Sequence, residues 1–558
     1  MPSRWSRILP ALPSFHFMAF APLDAWWRLL TQDRAFSKIP PRYALRILGG
    51  VGVSAFATIL TLPERLLLAP VLASRYRAHR GPHPITPLTS SPAHSAPPIL
   101  IVLGYYRSGT THLHYLLSCD PNLVTPRWYQ MLMPQGFALS WTLLRYFLVP
   151  FLSSTRPQDD VAYGSEYPAE DDFGVCNWSA ACAMPGRMVL PGCWDFYSRF
   201  HTLEDLTPAE RARFLRAQHG LTWKLQALNP RRGVLFKTPS HTARVRALTD
   251  LYGDRVKFIH LHRDPTPVLR SNVAMHRRFE PFLFQDHPGD DEIRRRIIDE
   301  YNATERAFLA DAASLPDSGR GVITRMRYED LIADPIGQLR RAYTELNISF
   351  TPEFETSAAA YLESVGNYRS AAERTKTKSD DRDQIPPAPE LDWMLETFGH
   401  NRPVVQPSAF TSPERSEGPG TPSTAAPSLR SGLVSALLAA LWAFALWLLI
   451  AYFTANRFDA LIWPTGIAIG LAALKSAKRG TLALGLWAGF LTFAVLLAVA
   501  YPVSWITEYR TRSPVPWDHV FLSAKNGLLA WNNVFWAFLG VVTAFRFASR
   551  EHVRPPGL

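Results

Sequence analysis

The chain of 558 residues is poor in cysteine, in lysine and, over its last 128 residues, in charge of either sign. Its four cysteines show no paired spacing, so neither a disulfide framework nor a zinc site is expected. The net charge of +12 is shared between residues 431–558 (10 − 4 = +6) and the rest, which argues against a single nucleic-acid-binding stripe. Long uncharged runs separate the few charges of residues 431–558. We therefore expect a soluble part joined to a membrane part.

An apolar segment near the beginning predicts a membrane-associating arm over residues 1–81. Sixteen uncharged residues run from Ile47 to Leu62, and Pro63 interrupts the pattern. A membrane span needs about 20 residues, so the run favours an interfacial or re-entrant hairpin over a crossing helix. Residues 82–97, rich in proline and serine, are typical of a linker.

The end of the chain predicts an all-α bundle of four transmembrane helices at 431–550, after a disordered linker at 402–430. The uncharged runs are 431–456, 460–474, 480–507 and 526–545. With four spans, Lys475, Lys478 and Arg479 lie on the same side of the membrane as the central domain. The positive-inside rule places that side in the cytoplasm. Arg457 and Arg510 lie on the other side and weaken the bias.

The central region, residues 98–401, has the pattern of an α/β domain. Strand-like apolar runs alternate with helical stretches, at 99–104, 233–238, 256–262 and 321–330. Such alternation is typical of a parallel sheet flanked by helices.

The segment 99–119 combines a β-branched strand, a turn with Gly104 and Gly109, and a helix that begins at Thr110. This arrangement directs backbone N–H groups and the positive end of a helix dipole at one volume, which suits an anion. The spacing mimics a phosphate-binding loop, but Thr110 stands where the lysine would be, and Arg107 supplies the cation. The change argues against nucleotide hydrolysis, and no metal is expected. A tight turn without a ligand is the alternative.

Four motifs in this order resemble the sulfotransferases that use 3′-phosphoadenosine 5′-phosphosulfate (PAPS), in particular the bacterial branch that is similar to tyrosylprotein sulfotransferases. They are Tyr106-Arg107-Ser108-Gly109-Thr110-Thr111, Lys237-Thr238-Pro239-Ser240-His241, Arg263-Asp264-Pro265 with Ser271, and Arg327-Tyr328-Glu329-Asp330-Leu331 with Asp334-Pro335. The first departs from the family only in Tyr106, where a proline is usual. The resemblance covers residues 98–400 and nothing outside them.

The resemblance implies a P-loop-like parallel sheet, PAPS as co-substrate and a hydroxyl-bearing acceptor. It implies that the loop residues Arg107, Ser108, Gly109, Thr110 and Thr111 hold the 5′-phosphosulfate. Arg263 and Ser271 are expected to hold the 3′-phosphate. Lys237 ends a strand and is the expected cation for the leaving group, together with Arg107.

The base that accepts the acceptor's proton is less clearly marked. Relatives carry a glutamate about twenty residues after the loop, but residues 126–130 have no carboxylate. Glu170, in the acidic cluster 166–172, is the expected base, and His241 is the second candidate. The alternative for the cluster is a solvated helix start, since acidic residues favour the first turn. His112 and His114 are expected to face the core or the acceptor entrance.

The sequence thus predicts a multi-pass membrane sulfotransferase whose catalytic domain faces the cytoplasm, with the bilayer and not nucleic acid as its macromolecular partner. Membrane attachments on both sides of the catalytic domain favour a hydroxylated lipid, glycolipid or lipid-linked sugar as acceptor. Aromatic residues that could line an acceptor cleft are Trp128, Tyr129, Phe137, Trp141, Tyr146 and Phe147. Two alternatives stay open. One is a sensory or nucleotide-binding membrane protein with a non-catalytic domain, suggested by Trp463-Pro464-Thr465-Gly466. The other is a lumenal enzyme glycosylated at Asn177, Asn302 or Asn347.

Overall fold

A computed structural model describes most of the chain. The residues described are 18, 20–79, 97–140, 164–316, 322–365, 388–400, 429–454, 461–477, 480–511, 517–529 and 531–549. The expected linkers at 82–97 and 402–430 lie almost wholly outside these residues, as do Trp141, Tyr146 and Phe147. The chain divides into two compact units, one holding the N-terminal arm and the α/β domain and the other the C-terminal helices.

Within the described residues, a parallel sheet of five strands forms the centre of the first unit. The strands are β1 (Ile99–Leu103), β2 (Leu123–Val124), β3 (Gly233–Lys237), β4 (Val256–His262) and β5 (Ile323–Arg327). Their order across the sheet is β2-β3-β1-β4-β5, and every pairing is parallel. All residues of β1 and β3 are buried, as expected for strands covered by helices on both faces. This confirms the α/β class and the four strand-like runs.

Helices cover both faces of the sheet. Those of the first unit are α1 (Leu23–Thr31), α2 (Ala44–His79), α3 (Thr110–Leu117), α4 (Trp128–Leu132), α5 (Asp171–Ser179), α6 (Met184–Met188), α7 (Trp194–Thr202), α8 (Pro208–Leu228), α9 (Val245–Tyr252), α10 (Pro265–Arg277), α11 (Asp290–Ser314), α12 (Tyr328–Ala333), α13 (Pro335–Glu345), α14 (Pro352–Val365) and α15 (Trp393–Thr397). One face of the sheet packs on α3, α13 and α14 through a fully buried cluster that includes Leu100, Leu113, Leu339 and Phe354.

The N-terminal arm differs from the expected hairpin. Helix α2 continues for 36 residues through Pro63 and Pro70 without a turn. Its inner side packs on the α/β domain at Thr61 and Glu64, on either side of Pro63. These contacts hold the chain helical where a proline removes one backbone hydrogen bond.

The second unit is helical, with five described helices where four were expected. They are α16 (Leu429–Thr454), α17 (Ile462–Ala477), α18 (Leu482–Thr511), α19 (Trp517–Leu529) and α20 (Trp531–Ser549). The run 526–545 is divided between α19 and α20. Three helical segments of the described chain are long and apolar enough to cross a membrane: Pro41–Arg77, Leu429–Phe453 and Leu482–Tyr509.

Candidate active site

The predicted site residues follow three adjacent strands. Because β3 and β4 flank β1 in parallel, the carboxyl ends of all three lie at one edge of the sheet. Val102 of β1 pairs with Lys237, the last residue of β3, and Leu103 pairs with His260 of β4. Ligands of open α/β sheets bind at this edge, next to the strand where the order of connection reverses.

Two glycines shape the loop after β1. Gly104 has φ +136°, and a Cβ there would lie 2.3 Å from the Leu261 carbonyl oxygen. Gly109 has φ +99°, and a Cβ there would lie 2.3 Å from the Tyr328 ring. Neither position has room for a side chain, so the backbone of the loop lies tight against β4 and α12. Arg107 also has a positive φ of 69°, which directs the turn between the glycines.

The loop ends at the N-terminus of α3, whose first N–H groups have no acceptor within the helix. Thr111 in the first turn is half-buried, whereas Ser108 and Thr110 are buried. The Ser108 hydroxyl donates to the Tyr105 carbonyl at 2.7 Å, and the Gly104 N–H donates to Thr242 Oγ1 at 2.7 Å. Ser108 therefore braces the loop, and Thr111 is the hydroxyl on its open side.

Arg107 and Ser271 meet although 164 residues separate them. Arg107 Nε donates to Ser271 Oγ at 3.0 Å, and both side chains are half-buried. Arg263 lies half-buried at the end of β4, with its guanidinium 4.2 Å from the centre of the Tyr328 ring. The Tyr328 ring thus contacts both Gly109 and Arg263, so the fourth motif links the two expected phosphate sites. Asp334 of the same motif caps α13, accepting from the Gly337 N–H at 3.0 Å.

Lys237 and Glu170 form an ion pair at this edge. Lys237 Nζ donates to Glu170 Oε1, and it lies 3.4 Å from Thr111 Oγ1. The Lys237 side chain is 2% exposed and that of Glu170 is 16% exposed, so the carboxylate is the more open of the two. The structure thus brings the expected leaving-group cation, the expected base and a loop hydroxyl into contact.

The two carboxylates after Glu170 point inward, which sequence reasoning missed. Asp171 accepts hydrogen bonds from Gln218 Nε2 and Thr238 Oγ1, both at 2.7 Å, and lies 2.6 Å from His241 Nε2. Burial raises the pKa of Asp171, but its interaction with His241 and its hydrogen bonds outweigh burial and lower the pKa to about 2. The acidic cluster is therefore not a solvated helix start. Its one signal in the sequence is the pair of adjacent acids beside Glu170.

Asp172 pairs with Arg244 in the same buried layer. Arg244 Nη1 donates to Asp172 Oδ1 at 2.8 Å, and both side chains are fully buried. Arg244 also donates to the carbonyls of Phe200 and His201. This network fixes the start of α5 against the turn Pro239–Arg244 that follows Lys237. Because Glu170 precedes α5 and Lys237 precedes this turn, the buried network also holds these two residues in place.

His241 lies within this network rather than facing a substrate. Its Nε2 contacts Asp171, its Nδ1 lies 3.3 Å from Arg244 Nη1, and its side chain is fully buried. Both ring nitrogens are engaged by protein groups, whereas the Glu170 carboxylate is partly exposed, so Glu170 is the better placed of the two base candidates. His112 and His114 are buried in the core. Burial lowers the pKa of His112 to about 4, and His114 Nε2 lies 2.6 Å from Thr125 Oγ1.

Tyr106, the departure from the family pattern, packs beneath the loop. Its hydroxyl lies 3.0 Å from Ser240 Oγ, and the Arg187 guanidinium lies 3.9 Å from its ring centre. Burial raises the pKa of Tyr106, so the phenol stays neutral. Arg187 in turn pairs with buried Glu300. The Tyr106 side chain is therefore held by Ser240 and Arg187, which keeps this position of the loop rigid although it lacks a proline.

The segment next to Glu170 forms a separate wall. Residues 126–129 exchange backbone hydrogen bonds with 165–169, and the Trp128 ring packs on Phe173 at 4.7 Å. Trp128 and Phe137 are buried, as ordinary core residues are.

Among the described residues, no cluster of histidine, cysteine, aspartate and glutamate could hold a metal ion.

Comparison with known proteins matches residues 98–352 to the family model described as "Sulfotransferase family". An omega-hydroxy-beta-dihydromenaquinone-9 sulfotransferase of Mycobacterium tuberculosis is 30% identical over 275 residues, 49% of this chain and 69% of the relative. Human carbohydrate sulfotransferase 5 is 26% identical over 330 residues, 54% of this chain and 72% of the relative. A crystal structure of another Mycobacterium tuberculosis sulfotransferase aligns with a TM-score of 0.44 at 17% identity, over 61% of this chain and 85% of that one.

Proposed function

The chain belongs to the sulfotransferase family, and we propose that it transfers a sulfuryl group from PAPS to the hydroxyl of a membrane lipid. The observation that supports this most directly is the contact of Lys237 with Glu170 and Thr111 at the carboxyl edge of the sheet. Sulfuryl transfer to an alcohol needs a cation near the departing oxygen and a base for the hydroxyl proton, and Lys237 and Glu170 can supply them.

The residues at the edge suit a nucleotide with two separated anionic groups. The glycine loop and the α3 N-terminus form a cradle that any Cβ would fill, and Arg107 carries positive charge into it. Arg263 offers a second cation at the end of β4. PAPS supplies an activated sulfuryl group whose bond to the 5′-phosphate oxygen breaks as the acceptor oxygen bonds to sulfur.

In the proposed mechanism, each residue acts on one atom of the reaction. Glu170 takes the proton from the acceptor hydroxyl, which leaves an oxygen able to attack sulfur. Lys237 and Arg107 neutralise the negative charge that grows on the departing phosphate oxygen. Asp171 and His241 do not touch the reacting atoms but hold Thr238 and α5, and thereby Lys237 and Glu170, in place.

A lipid acceptor is supported by two observations. The mycobacterial relative is a sulfotransferase of a menaquinone derivative, which is a lipid. The chain itself carries three segments long and apolar enough to cross a membrane. We propose that the acceptor is a hydroxylated lipid, glycolipid or lipid-linked sugar, and that the catalytic domain faces the cytoplasm, where PAPS is made available to it.

The test is sulfate transfer by the full chain in vesicles. Radiolabelled PAPS and a total lipid extract should yield a labelled lipid, and Glu170→Gln should abolish the label because an amide cannot accept the proton. Glu204→Gln, on an exposed glutamate, is the matched control. Transfer to soluble alcohols alone would reject the lipid acceptor. Nucleotide binding without transfer to any hydroxyl would reject the enzyme reading and match a sensor.

A further inference from the structure

Helix α2 has two apolar sides, and the part of the chain that the structure describes covers only one of them. The residues buried against the first unit recur every three or four positions, as at Ile47, Ser54, Ala57, Thr61 and Glu64. A helix whose second side is also apolar needs a second apolar surrounding, because a solvated side is normally polar.

The uncovered side, here called the outer face, comprises Leu45, Leu48, Phe56, Ile59 and Leu66. These residues lie opposite the buried row at helical spacing, and each is at least half exposed, with Ile59 at 69%. Between Leu45 and Leu66 the helix rises about 30 Å, so the outer face is a continuous apolar strip. Trp27 on the neighbouring α1 is also 71% exposed. Exposed apolar surface of this extent marks a binding surface.

The inner contacts of α2 extend along nearly its whole length. Arg46 Nη1 donates to the Leu283 carbonyl at 2.6 Å near the start, and the Tyr76 ring meets His219 edge-on at 5.5 Å near the end. Thirty residues of helix, about 45 Å, separate these two contacts. A helix that crossed a bilayer could not keep both, because a polar domain would then lie in the hydrocarbon along with it.

Glu64 fastens the middle of the helix. Its carboxylate accepts from Lys224 Nζ at 2.9 Å and from the backbone N–H groups of residues 138–140 at 2.8 to 2.9 Å. The pair is buried, with Glu64 1% and Lys224 2% exposed. Glu64 is the only acid between residues 41 and 77, which also contain five arginines. Among these arginines, Arg46 is buried, and Arg42 and Arg65 pair with Asp286 and Asp24. Exposed Arg75 and Arg77 therefore supply the positive charge at the end of the outer face.

We propose that the outer face of α2 lies flat in the surface of a bilayer that contains anionic lipids, with the α/β domain fixed to its other side. Apolar residues on the outer face enter the boundary between headgroups and acyl chains, and arginines at its margin meet lipid phosphates. The helix does not cross the membrane, although its length and composition would permit it. The segment 138–140, within the stretch 126–147 whose aromatic residues are expected to line the acceptor cleft, is thereby held on the inner side of this membrane-bound helix.

The test uses the full chain in vesicles of phosphatidylcholine and phosphatidylglycerol. An environment-sensitive fluorophore is attached to Leu48→Cys, Ile59→Cys or Leu66→Cys, with Thr356→Cys, at an exposed position of α14, as control. The four native cysteines are buried. The fluorescence emission of all three outer-face labels should shift to shorter wavelength on binding vesicles. Lipids that carry a nitroxide near the headgroup should quench the three labels to the same degree. The control label should be quenched neither by headgroup nitroxides nor by nitroxides deep in the acyl chains.

Two other results would overturn the proposal. If Ile59→Cys is quenched most by nitroxides deep in the acyl chains while Leu48→Cys and Leu66→Cys report opposite surfaces, α2 crosses the bilayer. If no label is quenched by lipid nitroxides, protein and not lipid covers the outer face. Binding of 3′,5′-bisphosphoadenosine by each labelled variant checks its fold. The fluorescence measurement needs no sulfate transfer, so its result tests the position of α2 independently of the proposed function.

Discussion

At the scale of single residues, the proposed site separates side chains expected to meet the substrates from side chains that hold the first group in place. Lys237 and Glu170 are in contact at the open edge of the sheet, while Asp171 and His241 lie fully buried behind them. The distinction matters because a leaving-group cation stabilises mainly the transition state, where negative charge develops. A residue that only binds the nucleotide stabilises the ground state and the transition state equally.

Replacing Lys237 with alanine should lower turnover by orders of magnitude and leave the affinity for 3′,5′-bisphosphoadenosine nearly unchanged. The ammonium acts mainly on the charge of the departing oxygen. Initial rates with labelled PAPS and calorimetric binding measure the two quantities. Lys257→Ala, at the opposite end of β4, is the matched control and should retain both. Equal losses of rate and affinity in Lys237→Ala would contradict the assigned role.

Arg263→Ala should act mainly on binding. Loss of a hydrogen bond to a charged phosphate costs about 1.5–3 kcal/mol, and the affinity for 3′,5′-bisphosphoadenosine should fall accordingly. Adenosine 5′-phosphate, which lacks the 3′-phosphate, should lose little affinity in the same variant. Arg340→Ala, which removes an exposed arginine of α13 that pairs with Glu355, controls for the loss of a surface charge. An equal loss for both nucleotides would place Arg263 elsewhere than at the 3′-phosphate.

At the scale of elements, the loop after β1 and the helix α2 are held by contacts from distant parts of the chain. The loop owes its shape to the Leu261 carbonyl and the Tyr328 ring, both more than 150 residues away. Helix α2 owes its continuity to the buried row on its inner side. In each case a local segment takes its final form from what packs against it.

Gly104→Ala should destabilise the loop and abolish activity. The added Cβ would lie 2.3 Å from the Leu261 carbonyl oxygen, and backbone cannot move aside as a flexible side chain can. Gly289→Ala is the control, since no atom lies within 4 Å of a Cβ there. Thermal unfolding and nucleotide binding should both be impaired in the first variant and unchanged in the second. Full activity of Gly104→Ala would show that the loop tolerates a different path.

Glu64→Ala should cost about 3–5 kcal/mol of unfolding free energy, because it leaves the buried Lys224 ammonium without its partner. The double variant Glu64→Ala with Lys224→Met should recover a large part of this loss. Asp24→Ala, in an exposed pair with Arg28, should change stability by less than about 1 kcal/mol. Denaturant unfolding of these three variants and of Lys224→Met alone measures the differences, and additive losses in the double variant would argue against a direct pairing.

At the scale of the whole molecule, buried histidines couple the stability of the first unit to pH. Burial lowers the pKa of His112 and of His201 to about 4, from an ordinary value near 6.5. The unfolded chain therefore binds protons that the folded chain refuses between these values. The stability that the neutral rings contribute is complete above pH 6.5 and is lost as the pH falls toward 4.

The expected result is a fall in unfolding free energy between pH about 6.5 and about 5, with each depressed histidine contributing up to about 1.4 kcal/mol for each pH unit. His112→Gln should flatten the dependence, because it removes one of these rings. Denaturant unfolding in a pH series measures the slope. An unchanged slope in His112→Gln would show that this ring is not among the groups responsible.

The sequence by itself determined the four main strands, the loop between Gly104 and Gly109 and the order of the motifs at the carboxyl edge of the sheet. Each of these depends on apolar runs or on backbone geometry within a short window, so the residues concerned are sufficient. The same holds for the apolar composition of α2 and of the C-terminal helices, which a hydropathy window registers directly.

Only the tertiary structure decided which way the polar residues around the site point. From sequence, an exposed helix start was the alternative interpretation of Asp171 and Asp172. Both are buried, because they pair with Thr238 and Arg244, more than sixty residues later. The two-residue strand β2 is too short for any periodicity, and pairing with β3 alone defines it. Helix α2 passes through Pro63 because Glu64 finds its partner in Lys224, 160 residues away. Side-chain direction follows from packing partners, and those partners are distant in the chain.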